Sequence, residues 1–550
     1  SVKQNFLRRG VINIPFLLII IALFFLSGIS SYEDNEGRIK RFKFYQAIDK
    51  YSNGTMTVDV DPYNGLYCKA QDFIEVGQKT IKVPKDHAMC PYYIYPFKFE
   101  IVDILHQVKG LNETLGKEQK FSVFVLVYNI LYHLHANKTY LNEYIEENNL
   151  EMYKNLEFDV IENIEHSFPK IILGKSTMEE DHFKLLGQKK ISNDGYTELD
   201  YVFKNVLFRI TQNPHMQAMY HWTSDFNQFR HAYGIVMSRG MTLRLNEYYV
   251  LVDKRKRETT YTSYEKQNLD INQRICRGSG CPCIVLYIDL CNHYQPQFRD
   301  LRDKRPIILD TEKDNFINAA TREFDIGEEI NYTYSNDPNN IVMLYHYGFT
   351  MPDNLFNVQK VTINDGYKMT PQQFSLCKEL QCIDGSIPNV ESMPIQKMYS
   401  LQYKAVNNAL INYGRVRSLK DSNINIQKVI KSVRSGKAVS KESELLAWNY
   451  YLKATRMDWS TFSKPSMNDS IRTGQNTRNK RREIEAEWRD EEAQRTRWSY
   501  LKHFDLIYDL DVSYKRICLN HVLGAEKKMI GLLNEDIVSS FRAKYVKQSN

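Results

Sequence analysis

The residues whose types could do chemistry lie in short, separated pieces. Arg239 closes the run Ala232-Tyr233-Gly234-Ile235-Val236-Met237-Ser238-Arg239, and a guanidinium there offers a bidentate match to a carboxylate. Asn292 and His293 follow an apolar stretch ending in Asp289-Leu290-Cys291, and bring an amide and an imidazole that can both donate and accept hydrogen bonds. Tyr334 and Tyr347 each carry a hydroxyl that can orient a nucleophile on a ring that can wall a narrow, dry channel. Asn64, Gly65 and Leu66 follow Tyr63, and a glycine without a Cβ lets backbone amides approach a ligand closely. Each piece alone has an ordinary alternative: a turn, a surface salt bridge, a structural Asn-His, or core aromatics in a chain with 37 Tyr.

The cysteines add little chemistry. Cys276, Cys281, Cys283 and Cys291 could supply four thiolates to zinc, but reduced thiols or a disulfide account for them better, and Cys377 with Cys382 is another disulfide candidate. His133 and His135 have no third ligand in sequence reach, so no metal is expected. Nine Cys in a chain with a large core neither require nor exclude a disulfide framework.

The elements that must position these residues are legible in outline. With 550 residues, 43% hydrophobic and 25% charged, the chain can bury more than one core. Strand signals come from Thr80 to Val83 and from Ile330, Tyr332 and Tyr334, which alternate with Asn331 and Thr333 and so share one face. Phe121 to Tyr132 is apolar almost throughout but too short to span a bilayer, and reads as a buried core helix. Tyr399, Tyr403, Val406, Leu410 and Tyr413 recur at helical spacing up to Gly414, a C-cap candidate. Ser440 opens a further helix with Leu445, Trp448 and Leu452 on one face. The expected class is α+β: a β-rich domain over 32–365 with a helical insert at about 104–228, then an all-α C-terminal domain over 366–550, with residues 1–31 as tail and anchor.

Taken in order, four pieces resemble the SET fold of the branch that holds the Rubisco lysine and actin histidine methyltransferases. They are Tyr63-Asn64-Gly65-Leu66 with Val76-Gly77 and Val83-Pro84; the helix ending in Ser238-Arg239; Asp289-Leu290-Cys291-Asn292-His293; and Gly327-Glu328-Glu329 through Tyr334 and Asn340 to Tyr347-Gly348-Phe349. The resemblance implies S-adenosylmethionine as cofactor, held by Asn64, Gly65, Leu66, Arg239, Asn292 and His293. It places Tyr347 first and Tyr334 second as the residues guiding a lysine or histidine nucleophile. Two departures stand out: Tyr63 replaces the first glycine of the opening motif, and Val342 replaces an acidic residue of the closing one. Two functions follow, a protein methyltransferase or a non-catalytic subunit of a membrane complex with the C-terminal helices as a docking surface.

Val11 to Ile29 is a nearly unbroken apolar run, and at about 1.5 Å per residue it spans roughly 28 Å, close to the hydrocarbon thickness of a bilayer. Lys3, Arg8 and Arg9 precede it and Glu33 and Asp34 follow, which puts the body across the membrane from the cytoplasm or matrix. The mitochondrial inner membrane is favoured over the endoplasmic reticulum and secretory pathway. Five sequons, at Asn53, Asn112, Asn137, Asn331 and Asn468, do not discriminate in so Asn-rich a chain. A net charge of +7 over this length argues for no nucleic-acid partner, and Arg478 to Arg497, dense in both signs, reads as a solvated helix with one packed face. The expected partners are a membrane, other protein subunits and a protein substrate.

Overall fold

The computed structural model describes residues 35–61, 65–84, 87–91, 97–108, 118–136, 138–148, 172–179, 194–219, 225–243, 281–294, 307–310, 315–335, 338–351, 354–363, 369–382, 397–402, 407–419, 425–435, 438–462 and 491–546, with Leu111, Phe168 and His182 besides. The apolar run at 11–29, Tyr63, Asn64, Cys276 and Arg478 to Asp490 lie outside the described residues, and Glu491 to Arg497 begin a helix. Among the described residues no helix is long and apolar enough to cross a membrane.

Three small sheets build the N-terminal half. Strands β1 (Met56–Asp61) and β2 (Gly65–Ala70) form a hairpin in which Gly65 lies opposite Asp61. Met56 and Val58 turn inward from one strand and Cys68 and Ala70 from the other, the two-residue period of a half-buried hairpin. Strand β3 (Lys79–Pro84) pairs with β9 (Asn315–Ala319), which pairs in turn with β8 (Ile307–Asp310). Strand β6 (Cys281–Val285) lies between β4 (Ala88–Met89) and β5 (Met241–Leu243), and all five of its residues are buried. The first sheet is completed by β10 (Glu329–Tyr332), antiparallel to β2 and parallel to β7 (Asn292–His293). That parallel pair aligns Asn331 with Asn292 and Tyr332 with His293, so two motifs far apart in sequence meet side by side.

The helices pack around these sheets. Helix α1 (Asn35–Ser52) covers β1 and β3. Between residues 104 and 228 the described elements are all helical: the end of α2 (Lys98–His106), α3 (Glu118–His135), α4 (Lys138–Glu147), α5 (Asp194–Ile210), α6 (Pro214–Met219) and the start of α7 (Phe226–Arg239). Helix α3 is the expected buried one; Phe124, Val125, Leu126, Val127 and Tyr128 are buried in succession because α7 and β6 flank it. Asp225 caps α7 by accepting from the Asn227 amide. A Cβ at Gly234 would stand 2.5 Å from Ser176 Oγ and 2.8 Å from Ile172, so glycine lets α7 press against 172–177. At the start of α2, Lys98 is fully buried and its Nζ has no hydrogen-bond partner.

A second apolar core, separate from that of the sheets, gathers Leu376, Leu410, Tyr413, Trp448, Tyr451, Leu510 and Ile517. It is built by α8 (Pro371–Glu379), α9 (Asn408–Arg417), α10 (Ile426–Arg434), α11 (Lys441–Phe462) and α12 (Glu491–Val546). The C-terminal region is nevertheless not all-α. Strand β12 (Lys397–Gln402) pairs antiparallel with β11 (Val358–Ile363), across the expected boundary at 365, and the pair packs on α11 and α12. Tyr399 therefore belongs to a strand, and the helix begins only at Asn408, capped by the Asn407 side chain. Apolar residues every third or fourth position fit a strand-to-helix junction as well as one helix, and cross-strand pairing decided between them. Gly414 is not a C-cap either: it sits inside α9 because a Cβ there would stand 2.9 Å from the Ala447 carbonyl. Ser440 does open α11, its Oγ accepting from the Ser443 amide.

Candidate functional site

The site lies at the seam between the two cores, on the edge of the β1-β2-β10-β7 sheet. Its backbone is set by Tyr287, which leaves β6 in a positive-φ conformation (φ 70) while its side chain is fully buried. That geometry costs a non-glycine residue about 1 to 3 kcal/mol and persists where surrounding packing dictates it, here the rings of Phe44 and Tyr51. A 3-10 turn over Ile288–Leu290 follows and delivers Asp289, then Asn292 and His293 on β7.

Four polar residues meet at this point. The Arg239 guanidinium, at the end of α7, donates to Asp289 Oδ2 at 2.8 Å and to the Asp289 carbonyl at 3.3 Å. The Asp289 carboxylate is fully buried; burial pushes its pKa up, and Arg239 pulls it back down in part. Its other oxygen, Oδ1, is buried with no hydrogen-bond partner. The Asn292 amide donates to Glu329 Oε1 at 2.6 Å. Two of the expected cofactor-holding residues, Arg239 and Asn292, are thus engaged by carboxylates of the chain itself. Arg239 in particular pairs with Asp289 instead of presenting an open guanidinium, because a buried carboxylate needs a compensating charge.

Aromatic rings form the adjoining wall. Tyr334 lies 4.6 Å from Tyr347, 5.2 Å from His293 and 5.3 Å from Tyr332 by ring centroids, and Phe349 lies 5.8 Å from His293. Tyr334 donates its hydroxyl to the Cys291 carbonyl at 2.9 Å and its backbone N–H to His293 Nδ1 at 3.1 Å. The Tyr347 hydroxyl donates to the Tyr334 carbonyl at 3.3 Å. Burial pushes the Tyr347 phenol up to about 12 and raises that of Tyr334 as well, so both stay protonated at neutral pH. Tyr334 lies beyond the end of β10, where Thr333 and Tyr294 tie the chain to β7 through hydrogen bonds on the Tyr294 backbone.

Tyr347 is aimed by a turn that a simple helix would not make. Asn339 caps Asn340–Val342 by accepting from the Ile341 and Val342 amides, and Met343–Tyr347 then widen into a π-helical turn. Gly348 ends it at φ 75, with its Cα so close to Leu173 that a Cβ would stand 2.4 Å from the Leu173 carbonyl carbon. Asn340 anchors the same turn, donating to Met351 O and to Ser513 Oγ of α12, and accepting from Asn354.

Of the residues singled out in sequence, Arg239, Asn292, His293, Tyr334 and Tyr347 come together here. Gly65 and Leu66 open β2, two strands from β7, where Leu66 lies opposite Val60 and packs half-buried on the first core. Asp289, Glu329 and Phe349 belong to the site although sequence reasoning gave them no role; for Asp289 a lone acid in the apolar run Ile284 to Cys291 was the available signal, and Glu329, beside Glu328, gave none. The cysteine expectations change. Cys90 and Cys283 are disulfide-bonded and Cys281 is too, which removes two thiolates from any zinc set, whereas Cys377 and Cys382 are buried and not bonded to each other. Cys377 and Cys382 end opposite sides of a helix terminus, with the Cys382 amide donating to the Cys377 carbonyl and both side chains in the second core.

No family model matches the chain, and no curated protein matches it. Among solved structures it is similar to the SET domain of LSMT bound to lysine and AdoHcy, at 12% identity and a TM-score of 0.45, over 89% of this chain and 92% of that one. It is also similar to Rubisco LSMT bound to AdoMet, at 13% identity and a TM-score of 0.44, over 90% of this chain and 93% of that one. A third likeness is to Rubisco LSMT bound to sinefungin and monomethyllysine, at 12% identity and a TM-score of 0.44, over 89% and 92%. At these values the roles of individual residues rest on their own geometry.

Proposed function

We propose that this chain has the SET fold and works as a protein N-methyltransferase that uses S-adenosylmethionine to methylate a lysine or histidine. The observation that carries the reading is the juxtaposition, on one sheet edge, of the wall Tyr334, Tyr347, His293 and Phe349 with the charged group Arg239, Asp289, Asn292 and Glu329. The charged group fits the amino-acid end of that cofactor, since the orphaned Asp289 Oδ1 lacks the donor an ammonium would supply. Glu329 and Asp289 against Arg239 leave an excess of negative charge, which suits a cationic ligand. Gly65, without a Cβ, opens the neighbouring hairpin.

When bound, the cofactor supplies an electrophilic methyl on a sulfonium, which a neutral amine or imidazole displaces. The residues of this chain then have to align the nucleophile and keep water away, and alignment alone can contribute roughly 7 to 11 kcal/mol. Tyr347 and Tyr334, held protonated, position the attacking nitrogen by hydrogen bonding and do not take its proton. A lysine therefore reaches them already neutral, its proton lost to solvent.

The finer reading places this body outside the membrane that residues 11–29 would span, anchored to the mitochondrial inner membrane or, alternatively, in the secretory pathway. Disulfides at Cys90–Cys283 and at Cys281 support an oxidising compartment of either kind. Protease protection of intact organelles, with and without outer-membrane rupture, separates the two. A second reading, a non-catalytic subunit of a membrane complex, draws on the internal pairing of Arg239 and Asn292. Calorimetric titration of the full chain in mild detergent with S-adenosylmethionine tests the choice: saturable binding, followed by label transfer to a protein fraction, supports the enzyme. No heat at millimolar cofactor leaves the subunit.

A further inference from the structure

Tyr347 is held in place chiefly by its backbone. Its hydroxyl bond to the Tyr334 carbonyl is long at 3.3 Å, so the position of the ring follows from the π-helical turn Met343–Tyr347 that carries it. That turn rests on the segment 172–177. A Cβ at Gly174 would stand 3.1 Å from the Tyr345 carbonyl oxygen and 3.4 Å from that of Leu344, and Leu173 is the residue against which Gly348 is pressed. Gly174 itself sits at φ 128, a conformation that glycine adopts freely.

Helix α12 (Glu491–Val546) grips this assembly from both sides. On one side the Gly174 N–H donates to Nε2 of His503 at 3.0 Å, and His503 is fully buried. A backbone amide at that depth needs an acceptor, and an imidazole supplies one only through a nitrogen that carries no proton. On the other side Ser513 Oγ accepts from the side-chain amides of Asn340 and Asn357, each at 3.2 Å, and donates to the Leu510 carbonyl at 2.9 Å. Asn340 opens the helical turn that widens into the π-helical one, and its backbone N–H donates to Asn357 Oδ1 at 2.7 Å. His503 and Ser513 lie about 15 Å apart along the helix at 1.5 Å per residue. Between them Leu506, Ile507 and Leu510 are buried in the second core, which fixes that stretch of α12 as a rail under the turn.

We infer that His503 and Ser513 are positioning residues for Tyr347, His503 acting through Gly174 and Ser513 through Asn340, so that the second core sets the aim of the tyrosine. The inference rests on the reading of Tyr347 as the residue that orients the nucleophile. Misplacing a reacting group by about 1 Å can cost about 100-fold in rate, so a small shift of the turn is enough to be read in transfer.

The test compares His503→Leu, which fills the space without an acceptor, with His503→Gln, whose amide oxygen can take the Gly174 N–H. Arg230 holds the same segment from α7, donating to Ser176 O at 2.6 Å and to Met178 O at 2.8 Å, so the fold does not hang on the His503 bond alone. Ser513→Ala, a change of one hydroxyl, repeats the experiment on the other side. Hydrogen exchange is read first, on the full chain in mild detergent. The amides of 172–177 and 343–349 are expected to exchange about tenfold faster in His503→Leu, those of 343–349 to do so in Ser513→Ala, and all of them to keep the wild-type rate in His503→Gln. Methyl transfer is read on the same proteins: kcat is expected to fall about 100-fold in His503→Leu and in Ser513→Ala with KM for S-adenosylmethionine unchanged, and to return close to the wild-type value in His503→Gln. Wild-type kcat in both His503→Leu and Ser513→Ala, or a glutamine variant no better than the leucine one, would overturn the inference. A wild-type chain that transfers no methyl removes the enzyme reading instead. Exchange then decides alone whether α12 holds the turn, and unchanged rates in His503→Leu and Ser513→Ala would show that it does not.

Discussion

Arg239 and Asp289 hold each other across the candidate site: Arg239 Nη1 stands 2.8 Å from Asp289 Oδ2, the arginine at the end of a helix and the fully buried carboxylate in the turn before β7. Arg239 is the cationic partner of that carboxylate among the described residues, and replacing it by Met removes the pair. Breaking one side of a buried pair costs about 3 to 5 kcal/mol, and we expect a loss in that range by urea denaturation. Asp289→Asn in the same chain should return most of it, because the uncompensated charge is gone. If Arg239→Met alone unfolds at the wild-type urea concentration, the pair does not stabilise the turn.

The two tyrosines should separate stability from rate. Tyr334→Phe leaves the Cys291 carbonyl without its donor, which costs about 1 to 3 kcal/mol and shows as a lowered melting temperature. Tyr347→Phe gives up a longer bond of 3.3 Å and should melt near the wild type. Its effect is expected on methyl transfer, a fall of about 100-fold or more in kcat with cofactor affinity unchanged, as for the loss of a group that acts chiefly in the transition state. Unaltered kcat in Tyr347→Phe would remove that residue from the chemistry.

Lys98 gives the fold a pH dependence of its own. Burial without a partner pulls its ammonium down to about 7, against 10.5 for a free side chain. Between those values the unfolded chain carries a proton that the folded chain lacks, so stability rises with pH through that window. Below about pH 7 both states are protonated and the dependence ends. The slope contributed is about 1.4 kcal/mol per pH unit. Lys98→Met should remove it and stabilise the chain at pH 7 by about 3 to 5 kcal/mol. Denaturation curves at pH 7, 8, 9 and 10 check both points, and equal slopes in the two proteins would count against a neutral buried amine.

Gly348 is where the tyrosine turn meets the segment before α5. Alanine there must adopt φ 75 and place its Cβ 2.4 Å from the Leu173 carbonyl, contacts that backbone must move to relieve. We expect Gly348→Ala to destabilise by about 3 kcal/mol and to lower transfer further than stability alone explains, since Tyr347 precedes the shifted residue. Thermal unfolding and single-turnover kinetics on the same preparation show whether the two effects part company.

Local signals in this chain were strong where burial alone decides structure. The apolar length of Phe121 to Tyr132 led to α3, Thr80 to Val83 to β3, and the cap at Ser440 to α11, because each depends on side chains within one element. The neighbourhood of Asn292, His293, Tyr334 and Tyr347 was legible only as a set of motifs in order. Their contact required the parallel alignment of β7 with β10 and a π-helical turn, neither of which leaves a periodic trace. Where an outcome hung on a distant partner, sequence did not reach it. Tyr399 became a strand residue because β11 was there to pair with it, Cys283 found Cys90, and Arg239 turned to Asp289. Amino-acid order by itself determined which stretches are apolar, which residues can carry chemistry and in what succession. Tertiary structure decided which charges and thiols face each other, because hydrogen bonds, ion pairs and disulfides depend on separations of a few ångströms between residues as distant in sequence as Cys90 and Cys283.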